Sequence, residues 1–289
     1  MSVEHTDHLR GVAITGAGVL ILSPDSLLIR TIEGGPLLVN FWRGLMIGVV
    51  LLGFFTIRER GNLLSVLRVM GWSGAGVALS FAFGTTMFVT AIKHTVVANA
   101  LIILSAIPLL SALLSMLVLK ERIAVRTWGA IALAMIGMLI IFSEGIESGT
   151  WVGDLAALGC AVAGAIEFVL IRRAKAVNLV PAIGLGGLLT AFGMLWLVDP
   201  LSILPEDYVN LALMGLVVQP LSFALIALGP RYLPAPEVGL IMLLETLLGP
   251  IWVWWFQAEL PPANTFLGGA VVLTALIGNA LLGLRNSKR

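Results

Sequence analysis

Apolar residues in this chain come in long runs. Polar residues gather in the short gaps between them, and neither a period of two nor a narrow amphipathic stripe dominates. Runs of this length predict membrane-crossing helices, which need about 20 apolar residues to cross a hydrocarbon core of roughly 30 Å. Ten spans are predicted, at about 9–29, 36–57, 70–92, 96–119, 127–143, 152–171, 179–198, 208–230, 236–256 and 265–284. The connectors are short, so no separate soluble domain is expected. The fold class is therefore all-α and polytopic.

The stretch from Val96 to Arg122 organises the reading. It carries Pro108 near its middle and ends at Lys120-Glu121-Arg122. Proline removes a helical hydrogen bond, a defect membrane helices accept where a neighbour or a watery cavity satisfies the freed group. Ala98, Ser105, Pro108, Ala112 and Ser115 fall on one helical face, a stripe suited to close packing or to lining a cavity. A second stretch echoes it at an offset of 138 residues: Glu259 falls against Glu121 and Thr246 against Pro108. Glycines Gly129 and Gly268 follow at similar distance. The echo predicts a duplication, with residues 1–147 forming one five-helix repeat and 148–289 a second.

Charge sets the direction. Arg10, Arg58, Arg60, Arg68, Lys120, Arg122, Arg126, Arg172, Arg173, Lys175, Arg231, Arg285, Lys288 and Arg289 fall on the side of the N-terminus. Only Arg30 and Lys93 lie in the opposite connectors. Fourteen against two predicts both termini in the cytoplasm of a cell whose plasma or inner membrane the chain crosses. Five is odd, so the repeats cross in opposite senses. Such inverted repeats typically enclose one mid-membrane site and expose it alternately by rocking.

Composition narrows the classes further. Hydrophobic residues make up 59% and charged ones 11%, against about 25% charged in soluble domains. A net charge of +1 gives no case for nucleic acid. The single cysteine, Cys160, excludes an internal disulfide or a cysteine-based metal cluster, and His5, His8 and His94 are too scattered for a metal site. No small-x-small cleavage site follows the first apolar run, so a cleavable signal peptide is not expected. No P-loop occurs, and no cofactor is expected. Gly71-Trp72-Ser73-Gly74 matches the G-x-S-G of intramembrane serine proteases. The only available histidine, His94, is 21 residues away on the same helix, about 32 Å along its axis. The match is coincidental, and an enzyme is not expected.

Several pieces together resemble the drug/metabolite transporter superfamily, in its EamA-type members. They are Phe41-Trp42-Arg43, Ala91-Ile92-Lys93-His94-Thr95, Ser105-Ala106-Ile107-Pro108 through Lys120-Glu121, Trp128-Gly129 with Gly137, and Leu244-Glu245 leading to Glu259. Within that superfamily the chain is most similar to the YddG-type amino-acid exporters. It departs from the family where Glu-Pro is usual: here stand Glu245-Thr246, with a proline at Pro250. The resemblance implies a central cavity framed by helices one, three, four, six, eight and nine, with five and ten peripheral. It also makes a self-sufficient single chain plausible.

Polar groups inside hydrocarbon are costly, so each needs a partner or a cavity. Glu245 lies near the midplane in a stripe with Met242, Gly249 and Trp252. It reads either as a cavity carboxylate for a substrate amine or a proton, or as a buried glutamate bonded to a neighbour. Gln219 and Ser222 are candidates for a substrate's polar end or for an interhelical bond. Phe81, Thr85 and Phe88 form an aromatic-polar stripe, and Ser105 and Pro108 are placed for the cavity; Asn99 fits a helix cap. Asp25 and Arg43 are predicted to form a structural ion pair, with a substrate-carboxylate clamp as the alternative. Glu167 is expected to snorkel toward Arg172 and Arg173. The expected function is a secondary carrier exporting small metabolites, most readily amino acids. A broad exporter of toxic compounds and a non-transport assembly subunit are the alternatives. If the repeats are inverted, cysteines placed at positions 121 and 259 will label from opposite faces of the membrane; labelling from one face removes the repeat.

Overall fold

The computed structural model describes residues 3–94, 97–142, 151–257 and 263–286. Every regular element among them is a helix. Among the described residues, seven segments are long and apolar enough to cross a membrane: Asp7–Ile29, Pro36–Arg58, Leu63–Ala91, Ala100–Leu119, Trp151–Arg173, Asp207–Arg231 and Phe266–Gly283. Val125–Ile141 and Val180–Met194 are shorter apolar helices, and Ala235–Gln257 is a further helix of 23 residues. Large apolar side chains lie bare on the outside, Trp72 at 94% and Val125 at 86% exposure. Lipid, not water, suits such a surface. This is the build of a polytopic membrane protein.

Among the described residues, three of the spans are broken beside a proline. The first divides into α1 (Val3–Leu22) and α2 (Asp25–Thr31) at Ser23-Pro24. Pro24 has no N–H to give the Leu20 carbonyl four residues back, and the Ser23 hydroxyl donates to that carbonyl instead, at 2.7 Å. After α3 (Pro36–Arg58) and α4 (Leu63–His94), the fourth span divides into α5 (Val97–Leu104) and α6 (Ile107–Leu114) just before Pro108. Here the Ser105 hydroxyl donates to the Ile102 carbonyl at 2.6 Å. A wide π turn, Ser115–Leu119, ends that span at a left-handed Lys120. Following α7 (Val125–Phe142), α8 (Trp151–Arg173) and α9 (Val180–Met194), a second π turn, Leu213–Val218, separates α10 (Asp207–Ala212) from α11 (Gln219–Leu228) ahead of Pro220. Widening the turn before a proline is how a helix re-routes the carbonyls that the ring strands. The last two helices are α12 (Ala235–Gln257) and α13 (Ala263–Asn286).

The predicted third span is longer than expected. It begins at Leu63, and the axis turns at Gly71, whose φ of 52° only glycine adopts easily. The G-x-S-G stretch therefore marks a hinge in the helix. Glu259, the counterpart set against Glu121, lies outside the described residues, as do the side chains of Ala98 and Asn99.

Helices pair across the chain: α3 along α9, α4 along α8, α7 along α13, α1 along α11 and α6 against α12. Two of these pairs close on reciprocal glycines. A methyl group at Gly44 would sit 2.6 Å from the Gly187 carbonyl oxygen, and one at Gly187 would sit 2.7 Å from that of Gly44. Gly137 and Gly268 face each other's carbonyls in the same way, joining α7 to α13. In lipid, backbone approach of this kind replaces the hydrophobic drive that assembles helices in water. Buried side chains complete the contact, with Ile47, Ile171 and Ile183 between α3, α8 and α9, and Met138, Ile131 and Leu240 between α6, α7, α12 and α13.

Gly44→Leu is expected to destabilise the detergent-solubilised protein by about 1–3 kcal/mol through overpacking. Gly53→Leu, with nothing within 4 Å of its added carbon, is expected to leave the unfolding midpoint unchanged.

Candidate functional site

The breaks at Pro24 and Pro220 bring unlike helices to one buried polar cluster. Asp25 opens α2 and is 4% exposed. Arg43, two turns into α3 and 6% exposed, donates from Nη2 to Asp25 Oδ2 at 2.8 Å. Gln219, at the head of α11, donates from Nε2 to the other carboxylate oxygen at 3.2 Å. Three helices are thus tied to one carboxylate. Charged pairs of this geometry need such extra donors, because taking both ions out of water costs several kcal/mol each.

A fourth helix joins through the break itself. Trp252 on α12 donates from Nε1 to the Ser23 hydroxyl at 2.8 Å, while that hydroxyl donates onward to Leu20. About two turns before Trp252, Glu245 is half-buried and lies within reach of the charges of Asp25 and Arg43. No hydrogen bond holds its carboxylate among the described residues.

On α3, Asn40 stands one turn before Arg43 on the same face. Its Oδ1 accepts from the Thr85 hydroxyl at 3.2 Å, and its Nδ2 is buried without a partner. Arg43 Nε is likewise buried and unpartnered. Two donors, one helical turn apart, are left over in the cluster of Asp25, Arg43 and Glu245. Such a cluster can take a positive group at Glu245 and offer N–H donors to an acceptor.

The other candidates settle elsewhere. Ser105 and Ser222 donate to carbonyls of their own helices, Ser222 to Gln219 at 3.1 Å. Phe81 is buried and packs edge-on against Phe223, ring centroids 5.1 Å apart. Pro108 lies against the backbone of Gly239, where an added methyl would come within 3.1 Å of its Cα. Glu167 departs from the expected snorkelling. It is buried at 8% exposure, and Arg172 is bonded to Glu121 at 3.0 Å, because Glu167 lies more than a turn inside α8 while Glu121 sits beside that helix's end. The second span, which the resemblance names neither in the cavity frame nor at the periphery, supplies Arg43, Asn40 and their unpartnered donors. Asn40 and Ser23 went unremarked in the sequence, although an asparagine inside LLVNFW and a serine before proline are visible signals.

At the end of the bundle where α2 leaves and α10 begins, Asp207 closes the connector. Its two oxygens accept the backbone N–H groups of Glu33 and Gly34, each at 3.0 Å. Trp42 donates to the Pro200 carbonyl at 3.1 Å beside it.

Residues 13–143 match the EamA-like transporter family. A protein of Bacillus subtilis (strain 168) named "Uncharacterized transporter YwfM" is 27% identical over 227 residues, covering 73% of this chain and 75% of its own. A solved structure described as "Crystal structure of protein" has 18% sequence identity and a TM-score of 0.79. It covers 94% of this chain and 98% of that one, so the same fold runs nearly end to end in both.

If Asp25 and Arg43 hold each other, Arg43→Gln alone will cost about 3–5 kcal/mol by leaving a buried charge behind. The double variant Asp25→Asn/Arg43→Gln will be more stable than that single one. Additive losses in a double-mutant cycle, read by unfolding in detergent, remove the pairing.

Proposed function

We propose that the chain is a secondary carrier that exports small metabolites, foremost amino acids, across a cytoplasmic membrane by alternating access. The observation that carries this reading is the buried polar cluster, to which residues 1–147 contribute Ser23, Asp25 and Arg43 and residues 148–289 contribute Gln219, Trp252 and the neighbouring Glu245. A site shared by two halves is what rocking of one half against the other opens and closes. The family match of residues 13–143 and the similarity to an uncharacterised transporter support transport.

Ten passes in two inverted five-helix units account for the helix pairing. Exchanging each span for the one five further on sends α3·α9, α7·α13 and α6·α12 onto themselves and exchanges α4·α8 with α1·α11. A two-fold relation in the membrane plane generates that pattern. The distribution of Lys and Arg supports termini in the cytoplasm.

In this reading Glu245 receives the substrate's ammonium group. Arg43 Nε and Asn40 Nδ2 face its carboxylate, and Trp252 covers its apolar part. Thr85 positions Asn40, Gln219 positions Asp25, and Phe81 with Phe223 packs the wall behind them. Ser105, Pro108 and Ser222 shape the broken backbone around the site.

Proteoliposomes loaded with a panel of labelled amino acids test this, with and without a pH gradient. Saturable flux is expected, reduced at least about tenfold in Glu245→Gln, a loss of one charge-assisted contact, with expression intact. Flux of hydrophobic cations in place of amino acids favours a broad exporter, and no flux of either favours an assembly subunit.

A further inference from the structure

Helix α8 shows lipid one face and the bundle another. Trp151, Leu155, Leu158, Val162 and Ile166 are bare on its outside. At about 100° per residue, Cys160, Gly164 and Glu167 fall about 140–160° away from that stripe, on the side turned to the interior. This inner face is not filled. Cys160 and Gly164 are only half-buried there, and a methyl group added at Gly164 would meet only the Ile107 side chain, at 3.6 Å and beyond. Unlike Gly44, this glycine closes no seam; it leaves room.

Glu167 stands at the edge of that room. It is 8% exposed, and no ion pair or hydrogen bond holds its carboxylate among the described residues. Its oxygens are not sealed in, so the carboxylate opens on the interior space. Arg172, farther along the helix, is taken by Glu121 and by the Pro230 carbonyl. That second contact sets the end of α8 level with the chain that enters α12. From this level the two helices run inward in opposite chain directions. Glu245 lies ten residues from the start of α12 and Glu167 six from the end of α8, a step of about 6 Å in depth. Long side chains lean toward the N-terminus of their own helix, so these two lean toward each other. The charges of both act on the Cys160 thiol.

We infer that Glu167 and Glu245 form a two-carboxylate subsite for a solute with two ammonium groups, a diamino acid of the lysine type. The inference rests on the proposed role of Glu245 toward the α-ammonium group, and it adds Glu167 for the ammonium group of the side chain. Extended lysine holds its two nitrogens about 7 Å apart, a span that suits the step between the two helices. A bare divalent ion is a poorer match. It takes about six or more oxygens, and no three metal-ligating side chains gather among the described residues. An ammonium group is served by one charge-assisted contact, and without it Glu167 must keep a proton or a shell of water.

The test is equilibrium dialysis of the full chain in detergent, at matched ionic strength, against labelled lysine and against labelled norleucine, which lacks only the second ammonium group. Lysine is expected to bind about tenfold more tightly than norleucine. Glu167→Gln is expected to weaken lysine about tenfold and bring the ratio of the two close to one, while Glu167→Asp, which keeps the charge, retains a preference for lysine. Glu245→Gln is expected to weaken both ligands. Norleucine bound as tightly as lysine by the unmodified chain overturns the inference without recourse to a variant, and leaves the amino-acid reading standing. A lysine preference that survives Glu167→Gln overturns it as well. Binding of neither ligand removes the amino-acid reading and this inference together.

Discussion

A carboxylate inside a hydrocarbon slab must be held by donors, and in this chain Asp25 is the group that sets the terms. Its two oxygens take Arg43 from one side and Gln219 from the other, so α2, α3 and α11 cannot drift apart without stranding a charge. The backbone obeys the same rule. Each proline that interrupts a span leaves a carbonyl in need of a donor, and the break at Pro24 shows how one residue serves both needs. The Ser23 hydroxyl donates to Leu20 and receives the Trp252 indole. Broken helices and polar side chains thus gather in one place, because each solves a problem the other creates.

Around that place the packing is of two kinds. The pairs α3·α9 and α7·α13 meet backbone to backbone through glycines, with no slack for a methyl group. The helices that meet the polar cluster from the other side, α2, α11 and α12, are joined by hydrogen bonds between side chains. Close-packed glycine seams resist sliding, whereas a few directional bonds can be exchanged for others at small net cost. The two kinds of contact meet on α3, where Gly44 lies against Gly187 and the neighbouring Arg43 holds Asp25.

Much of this layout is legible in the sequence, and the limits follow from range. Hydropathy finds the spans because each is a local property of about 20 residues. Pro108 and Pro220 mark breaks because the missing N–H is a property of one residue. The proximity of Asp25 to Arg43 is also legible, since adjacent helices and similar depth leave few alternatives. What local reading misses depends on long-range contact. Nothing near Asp207 in sequence says that it caps the connector at Glu33 and Gly34, 174 and 173 residues away. Gln219 reads equally as a group for a solute or as an interhelical bond until α11 is set beside α2. Gly71 looks like one of many membrane glycines, and only its backbone angle shows why no other residue stands there. Asn40 was open to view, but its worth lies in the donor that Thr85 does not satisfy.

Glu245 differs from Asp25 in one respect that bears on mechanism. Asp25 is saturated by fixed donors, so its charge is part of the architecture. Glu245 is half-buried near the same charges without a hydrogen bond of its own among the described residues. A carboxylate so placed has three ways to avoid an uncompensated charge: a proton, a shell of water, or a cation. The first and third exclude each other at one oxygen, and each changes the cluster's charge by one. Occupancy at Glu245 is thereby tied to the balance that Arg43 and Asp25 experience. In the carrier reading proposed above, a bound solute and the arrangement of α2, α3 and α12 are coupled through these charges without a relay.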